Sequence, residues 1–215
     1  TGNFSFTGAA LNVNGGMTVG GTTTITNSGP FTKNATGAVT SDGGFTQNGT
    51  GTNSIGADIS TTNTGMSFAT AVTLTETVQL STDTGAGNIT LSSTVDPTGA
   101  STQGLTLLGG SGDITVTGAV GTTRLGALTV TSGADVQFGA GVQATSFSQA
   151  DGSGTTTFSG GQDYTGSFSF TGNALSVDDA LTVGTTATVT NSGLFTKSTT
   201  GVVTAPGGFT QNGTG

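Results

Sequence analysis

Apolar residues recur at every second position in short groups along the whole chain. Phe4-Ser5-Phe6, Leu11-Asn12-Val13, Ile89-Thr90-Leu91, Leu105-Thr106-Leu107, Ile114-Thr115-Val116 and Leu128-Thr129-Val130 are examples. Alternation of this kind sends successive side chains to opposite sides of a strand, so it predicts short half-buried strands. Each group is closed by turn formers, as in Asp96-Pro97-Thr98-Gly99, Gly109-Gly110-Ser111-Gly112 and Asp151-Gly152-Ser153-Gly154. Strands therefore arrive about every 6 to 10 residues, closer than the spacing of sandwiches and barrels. The spacing suits a parallel β-helix with two or three strands and about 20 to 23 residues per coil, the coils stacked ~4.8 Å apart. In such a fold each coil buries its inner face only against its neighbours.

The chain also repeats itself. Residues 1–51 and 165–215 align without a gap at an offset of 164, and about 35 of the 51 positions are identical. Phe4, Phe6, Leu11, Val13, Met17, Val19, Ile25, Phe31, Val39 and Phe45 read as inward-facing. Their partners are Phe168, Phe170, Leu175, Val177, Leu181, Val183, Val189, Phe195, Val203 and Phe209, and every one is apolar. Ile114, Val116, Leu128 and Val130 belong to the same expected core stack. The radical changes fall between these positions: Asn14-Gly15 becomes Asp178-Asp179, and Asp42 becomes Pro206. Residues 1–215 thus read as one continuous solenoid, with 1–164 as a large unit and 165–215 as the start of the next. A unit of this length predicts about seven or eight coils, roughly 35 Å along the axis.

Composition sharpens this picture. Gly accounts for 40 of 215 residues and charged residues for 7%, while hydrophobic residues make up 31%. Gly and β-branched Thr disfavour helices, and Thr, Val, Ile and Phe favour a pleated surface, so the chain reads as all-β with no helices. Disordered chains are usually more charged and lack regularly placed apolar residues. There is no Cys and no His, and the net charge is -8. Lys33, Arg124 and Lys197 are the only basic residues, too few to neutralise phosphates, so nucleic acid is not an expected partner. No apolar run approaches the length of a membrane-spanning segment. No signal peptide is visible and residue 1 is not Met, which reads as a mature or excised fragment.

The run Gly87-Asn88-Ile89-Thr90-Leu91-Ser92-Ser93-Thr94-Val95-Asp96, then Gln103-Gly104-Leu105-Thr106-Leu107, is followed by Gly112-Asp113-Ile114-Thr115-Val116-Thr117-Gly118-Ala119-Val120-Gly121 and Leu125-Gly126-Ala127-Leu128-Thr129-Val130-Thr131. This wording resembles the repeats of very large bacterial surface exoproteins, of the filamentous-haemagglutinin and autotransporter-like adhesin type. The resemblance implies secretion, a right-handed parallel β-helix, and a role in adhesion, matrix or filament formation. The general preference for right-handed crossovers points the same way.

Candidate chemistry is sparse. The chain has one Glu, Glu76, and a single Arg. Asp178 and Asp179 are adjacent, so on a strand they point to opposite sides, whereas a glycosidase needs two converging carboxylates. No His-based nucleophile pair exists, and no catalytic residue, cofactor or metal is expected. Gly109 to Ile114 is similar to a calcium-binding nonapeptide, but its Asp falls one place early and a single acid cannot supply 6 to 8 oxygen ligands. Thr-x-Thr groups at 22–24, 73–75, 115–117, 129–131, 155–157 and 188–190 raise ice binding, but their irregular separation does not require them to share one face. Lys33 and Lys197, each two residues after a Phe, read as solvated or paired with a stacked Asp. Asn27 and Asn191 sit in corners suited to Asn ladders along the stack. Asn3, Asn34, Asn48, Asn88 and Asn212 fit the glycosylation acceptor pattern, which chance alone supplies in a Thr-rich chain.

The expected function is mechanical: a structural segment of a long extracellular fibre at the cell surface or in a biofilm matrix. The expected partners are neighbouring repeats, or identical subunits stacked end to end, with lateral bundling. The alternative is an adhesin shaft or glycan-binding module, which Tyr164, the single Tyr, supplies poorly with stacking platforms.

Overall fold

The computed structural model describes residues 2–215 and builds them into 28 strands, with no helix among the described residues. The strand pairings are parallel, and each strand pairs with the one three rungs on, as Phe4–Gly8 does with Thr23–Asn27. This is a three-sided β-solenoid. Face 1 begins with Phe4–Gly8, face 2 with Leu11–Val13 and face 3 with Met17–Val19. Two long strands, Val120–Ser132 and Val142–Gln149, each run round a corner and serve faces 2 and 3. Every face therefore carries ten rungs, and the described residues make ten coils.

Coils vary from 19 residues (Phe4 to Thr23) to 27 residues (Val78 to Leu105). The variation is absorbed at corners, while the registers on face 1 stay unbroken. The backbone ladder also continues through many corners. Ser28 and Gly29 donate their amides to the carbonyls of Gly8 and Ala9 one coil below, and Ser192 and Gly193 do the same to Gly172 and Asn173. Close stacking explains the small corner residues. A Cβ on Gly49 would run into the backbone of Asn27, and one on Gly213 would meet Asn191 in the same way.

The axis is filled by one continuous apolar column. Ile25, Phe31, Phe45, Ile114, Val116, Leu128, Val130, Phe168, Phe170, Leu175, Val177 and Val189 are all buried within it. Phe4, Phe6, Leu11 and Val13 in the first coil, and Phe195 in the last, are half-buried and pack against it. Phe209, expected in the core stack, is 41% exposed instead. It lies on the last coil, above the small side chain of Ala187 and beside Phe195 of its own coil at a centroid distance of 5.7 Å. The densest packing lies deeper, where Phe158 is stacked on Phe138 at 5.2 Å and meets Phe147 edge-on at 5.2 Å.

The two similar stretches occupy different faces. Phe4 is on face 1 but Phe168 is on face 3; Leu11 is on face 2 but Leu175 is on face 1; Met17 is on face 3 but Leu181 is on face 2. From face 1 of the first coil to face 3 of the eighth is 23 rungs, which three does not divide. The 164-residue offset therefore spans seven and two-thirds coils, within the expected seven or eight but not a whole number.

The aromatic packing makes a direct prediction. Phe158→Ala removes a fully buried ring and is expected to cost about 3–5 kcal/mol, whereas the neighbouring outward Thr157→Ala should change stability by less than about 0.5 kcal/mol. Urea unfolding of the two variants checks this, and equal effects would contradict the inward and outward assignment.

Candidate functional site

The outward positions form ladders. On face 1 the register stacks Ser5, Thr24, Thr46, Ser67, Thr90, Thr115, Gln137, Thr157, Ser176 and Thr196 in one line. On face 3 Thr18, Thr40, Ser60 and Ser81 form one line. Gln79, Thr106, Thr129, Ser148, Ser169, Thr188 and Thr210 form a second line beside it. The Thr-x-Thr groups thus do share faces: those at 22–24, 115–117 and 155–157 fall together on face 1, because corner length and not sequence spacing sets the register. No ladder residue on faces 1 or 3 is charged.

Face 2 differs. Asp96 and Asp163 point outward there, and the strand bulges between Val120 and Leu125. Five steps of chain lie opposite two, from Val142 to Ala144, so three residues are extruded. Gly121 turns the bulge with φ +73°, and a Cβ there would run into the carbonyl of Gln143. A residue with a side chain is strained at such a φ. Asp96 steadies the bulge by accepting from the hydroxyl of Thr122 at 2.6 Å and the amide of Thr123 at 3.1 Å.

Arg124 leaves this bulge and clasps two further coils. Its guanidinium donates to the carbonyl oxygens of Ala144 at 3.1 Å and Asp163 at 2.7 Å, and to the Asp163 carboxylate at 2.5 Å. This is the ion pair of the described residues. An open groove of about 430 Å³ runs alongside, lined by Val120, Thr122, Gln143, Gln162 and Asp163 among others. The sequence singled out Arg124 only as a scarce base; the bulge that positions it leaves no periodic signal.

Several side chains act as corner clips. Asn88, Asp113 and Asp135 each present a side-chain oxygen to the amide of the next coil, at Asp113 (2.8 Å), Asp135 (3.1 Å) and Thr155 (2.7 Å). Asp113 is the acid of the nonapeptide-like stretch, and its carboxylate is engaged in this chain of contacts. Asp178 accepts from the Ser176 hydroxyl and Asp179 from the Ala180 amide, so the adjacent pair is turned to separate local partners. Among the described residues no three acidic, His or Cys groups converge as a metal site would require.

Several acceptor-pattern asparagines serve the same purpose. Asn3 accepts from the Thr22 amide, Asn34 donates to Asn14, and Asn48 accepts from Thr26.

The lysines are a correction. Lys33 is fully covered, not solvated, and meets no Asp: its Nζ donates to the carbonyls of Asn34 at 2.6 Å and Thr36 at 3.0 Å. Period 2 explains this, since Lys33 shares the inward side of Phe31. Burial disfavours the ammonium and lowers its pKa below the ordinary 10.5. Lys197, half-buried, repeats the bond to the carbonyl of Ser198 at 2.5 Å.

The expected Asn ladder is in fact an Asn–Gln pair: Gln47 donates to buried Asn27 at 2.8 Å and Gln211 to Asn191 at 2.7 Å. Tyr164 is buried too, its hydroxyl donating to Gln162 at 2.8 Å and its pKa raised well above 10.0 by desolvation.

Two outcomes follow. Arg124→Met removes a charged donor from three acceptors and is expected to lower stability by about 1–2 kcal/mol, the effect shrinking in high salt. Calorimetry at two ionic strengths measures it, and no change at either would refute the clasp. For Lys33 the folded chain gives up its proton before the unfolded chain does. Stability of the parent should therefore rise relative to Lys33→Met as pH climbs through the window ending at 10.5. Paired urea titrations at neutral pH and near that upper limit read the difference.

No family model matches this chain, and neither a curated protein nor a solved structure does.

Proposed function

We propose that this chain is a segment of a long extracellular β-solenoid fibre, a cell-surface or matrix filament built from units of about 164 residues. One observation carries the reading. The final coils are written in nearly the same residues as the first and stack on their predecessors through unbroken parallel registers. A chain that restarts its own sequence while continuing the same coil is extensible without limit. Its partners are then neighbouring units of the same chain, or copies stacked end to end.

The work of such a fibre is mechanical, and it is not an enzyme. Its ladders resist extension because every coil is bonded to two others, and its acids, placed at corners and on face 2, keep it soluble. Resemblance to repetitive surface exoproteins supports the extracellular location.

The adhesin or glycan-binding alternative is weakened by the fate of the aromatics. Tyr164 is buried, and the large apolar side chains that are exposed, Leu194, Val202 and Phe209, all lie in the last coil.

Electron microscopy of the native material is the test. The expected result is a thin unbranched fibre with coils ~4.8 Å apart and units spaced by about 37 Å, the rise of seven and two-thirds coils. Short discrete particles would overturn the fibre reading. Reproducible hits for the purified chain on a glycan array would instead favour the binding module.

A further inference from the structure

Local structure in this chain follows its sequence and ignores which face it occupies. The Lys33 bond to a corner carbonyl forms on face 2, and its counterpart at Lys197 forms on face 1. The Asn27–Gln47 pair forms on face 1, and the Asn191–Gln211 pair forms on face 3. The three sides of the triangle are thus interchangeable hosts for the same residues. What places a residue on a given side is only the number of rungs that precede it.

That number is 23 per unit, one short of a whole coil. We infer that successive 164-residue units are related by a screw of one-third turn, each unit's faces moving from 1 to 3, 2 to 1 and 3 to 2. The inference rests on the fibre reading for its extension beyond this chain, but its geometry is already present within it. The one charged side of the unit, with the Arg124 bulge and Asp163, passes to face 1 in the next unit and to face 3 in the one after. An interaction surface carried by a single unit is thereby presented on all three sides of the fibre, and no side is charged along its whole length. A neighbouring copy of the fibre meets the same groups from each of three directions. The true axial period is three units, 23 coils, or about 110 Å at the strand spacing of a sheet.

Cysteine crosslinking in this naturally Cys-free chain tests the rotation first. In-register parallel neighbours lie ~4.8 Å apart at Cα, inside the disulfide range of about 4.4–6.8 Å. Ser148 and Ser169 are such neighbours on face 3. Ser148→Cys with Ser169→Cys should crosslink almost completely under mild oxidation. Thr157→Cys with Ser169→Cys should not, because Thr157 stacks on Gln137 and Ser176 on face 1. The seven in-register pairs up face 1, from Ser5–Thr24 through Gln137–Thr157, made as separate double-Cys variants, should each crosslink too, which counts seven whole coils to Thr157 and, with Ser169 one coil above Ser148, 23 rungs from Ser5 to Ser169. Failure of any of these pairs, or crosslinking of Thr157 with Ser169, overturns the rotation.

Helical reconstruction of the native fibre tests its propagation. A rise of about 37 Å with a turn of one third supports the screw, and the same rise with no turn refutes it while leaving the fibre intact. Absence of any fibre refutes the fibre reading, and the crosslinks still decide the rotation.

Discussion

Everything in this molecule depends on the backbone ladder that joins each coil to the next. Strands three residues long cannot hold together as isolated pairs, and a lone hairpin is marginal in water. Here each strand between the first and last coils is bonded on both sides, and many corner amides find a carbonyl in the adjacent coil. The spacing of ~4.8 Å is then imposed on every side chain along the axis. It stacks apolar residues on one another inside, including Phe138 on Phe158 and Phe147 on Phe168, lines up hydroxyls outside, and favours glycine at corners such as Gly49 and Gly213.

The same constraint separates structural from surface chemistry. Inward positions close to a corner admit polar residues, provided the corner's own carbonyls and amides satisfy them. Asn27, Gln47 and Lys33 do so, and unpaired buried atoms among the described residues are few, Oδ1 of Asn53 and Nε2 of Gln149. Asp58, Asp113 and Asp135 clip corners, and Asp96 pins the bulge. The result is a fold in which many corner polar groups are engaged with the neighbouring coil. The departure is face 2, where three extra residues and Gly121 bring an arginine out to clasp two further coils.

The coarse fold was legible because period 2 and the turn residues are both local signals. Phe31, Ile114 and Val130 could be placed inside from their neighbours alone. Lys33 could also have been, since it follows Phe31 by two; the expectation that a charge seeks water outweighed the alternation. The face of each strand could not be read. It depends on the count of rungs and on corner lengths that range between coils, so the hydroxyl ladders and the one-third turn between copies appear only once the registers are known. Phe209 reads as core by the same alternation, yet its exposure is set by the absence of a coil above it within these residues. The Arg124 clasp was hidden for another reason, because it joins residues 39 apart across an irregular bulge.

Amide hydrogen exchange resolved along the chain tests the central claim most directly, that one ladder running through all three faces and their corners holds the coils together. The account predicts the slowest exchange in the middle coils, equal on the three faces, with protection extending to bonded corner amides and declining only toward the two ends. Fast exchange on one whole face, or an internal break with independent protection on either side, would contradict it.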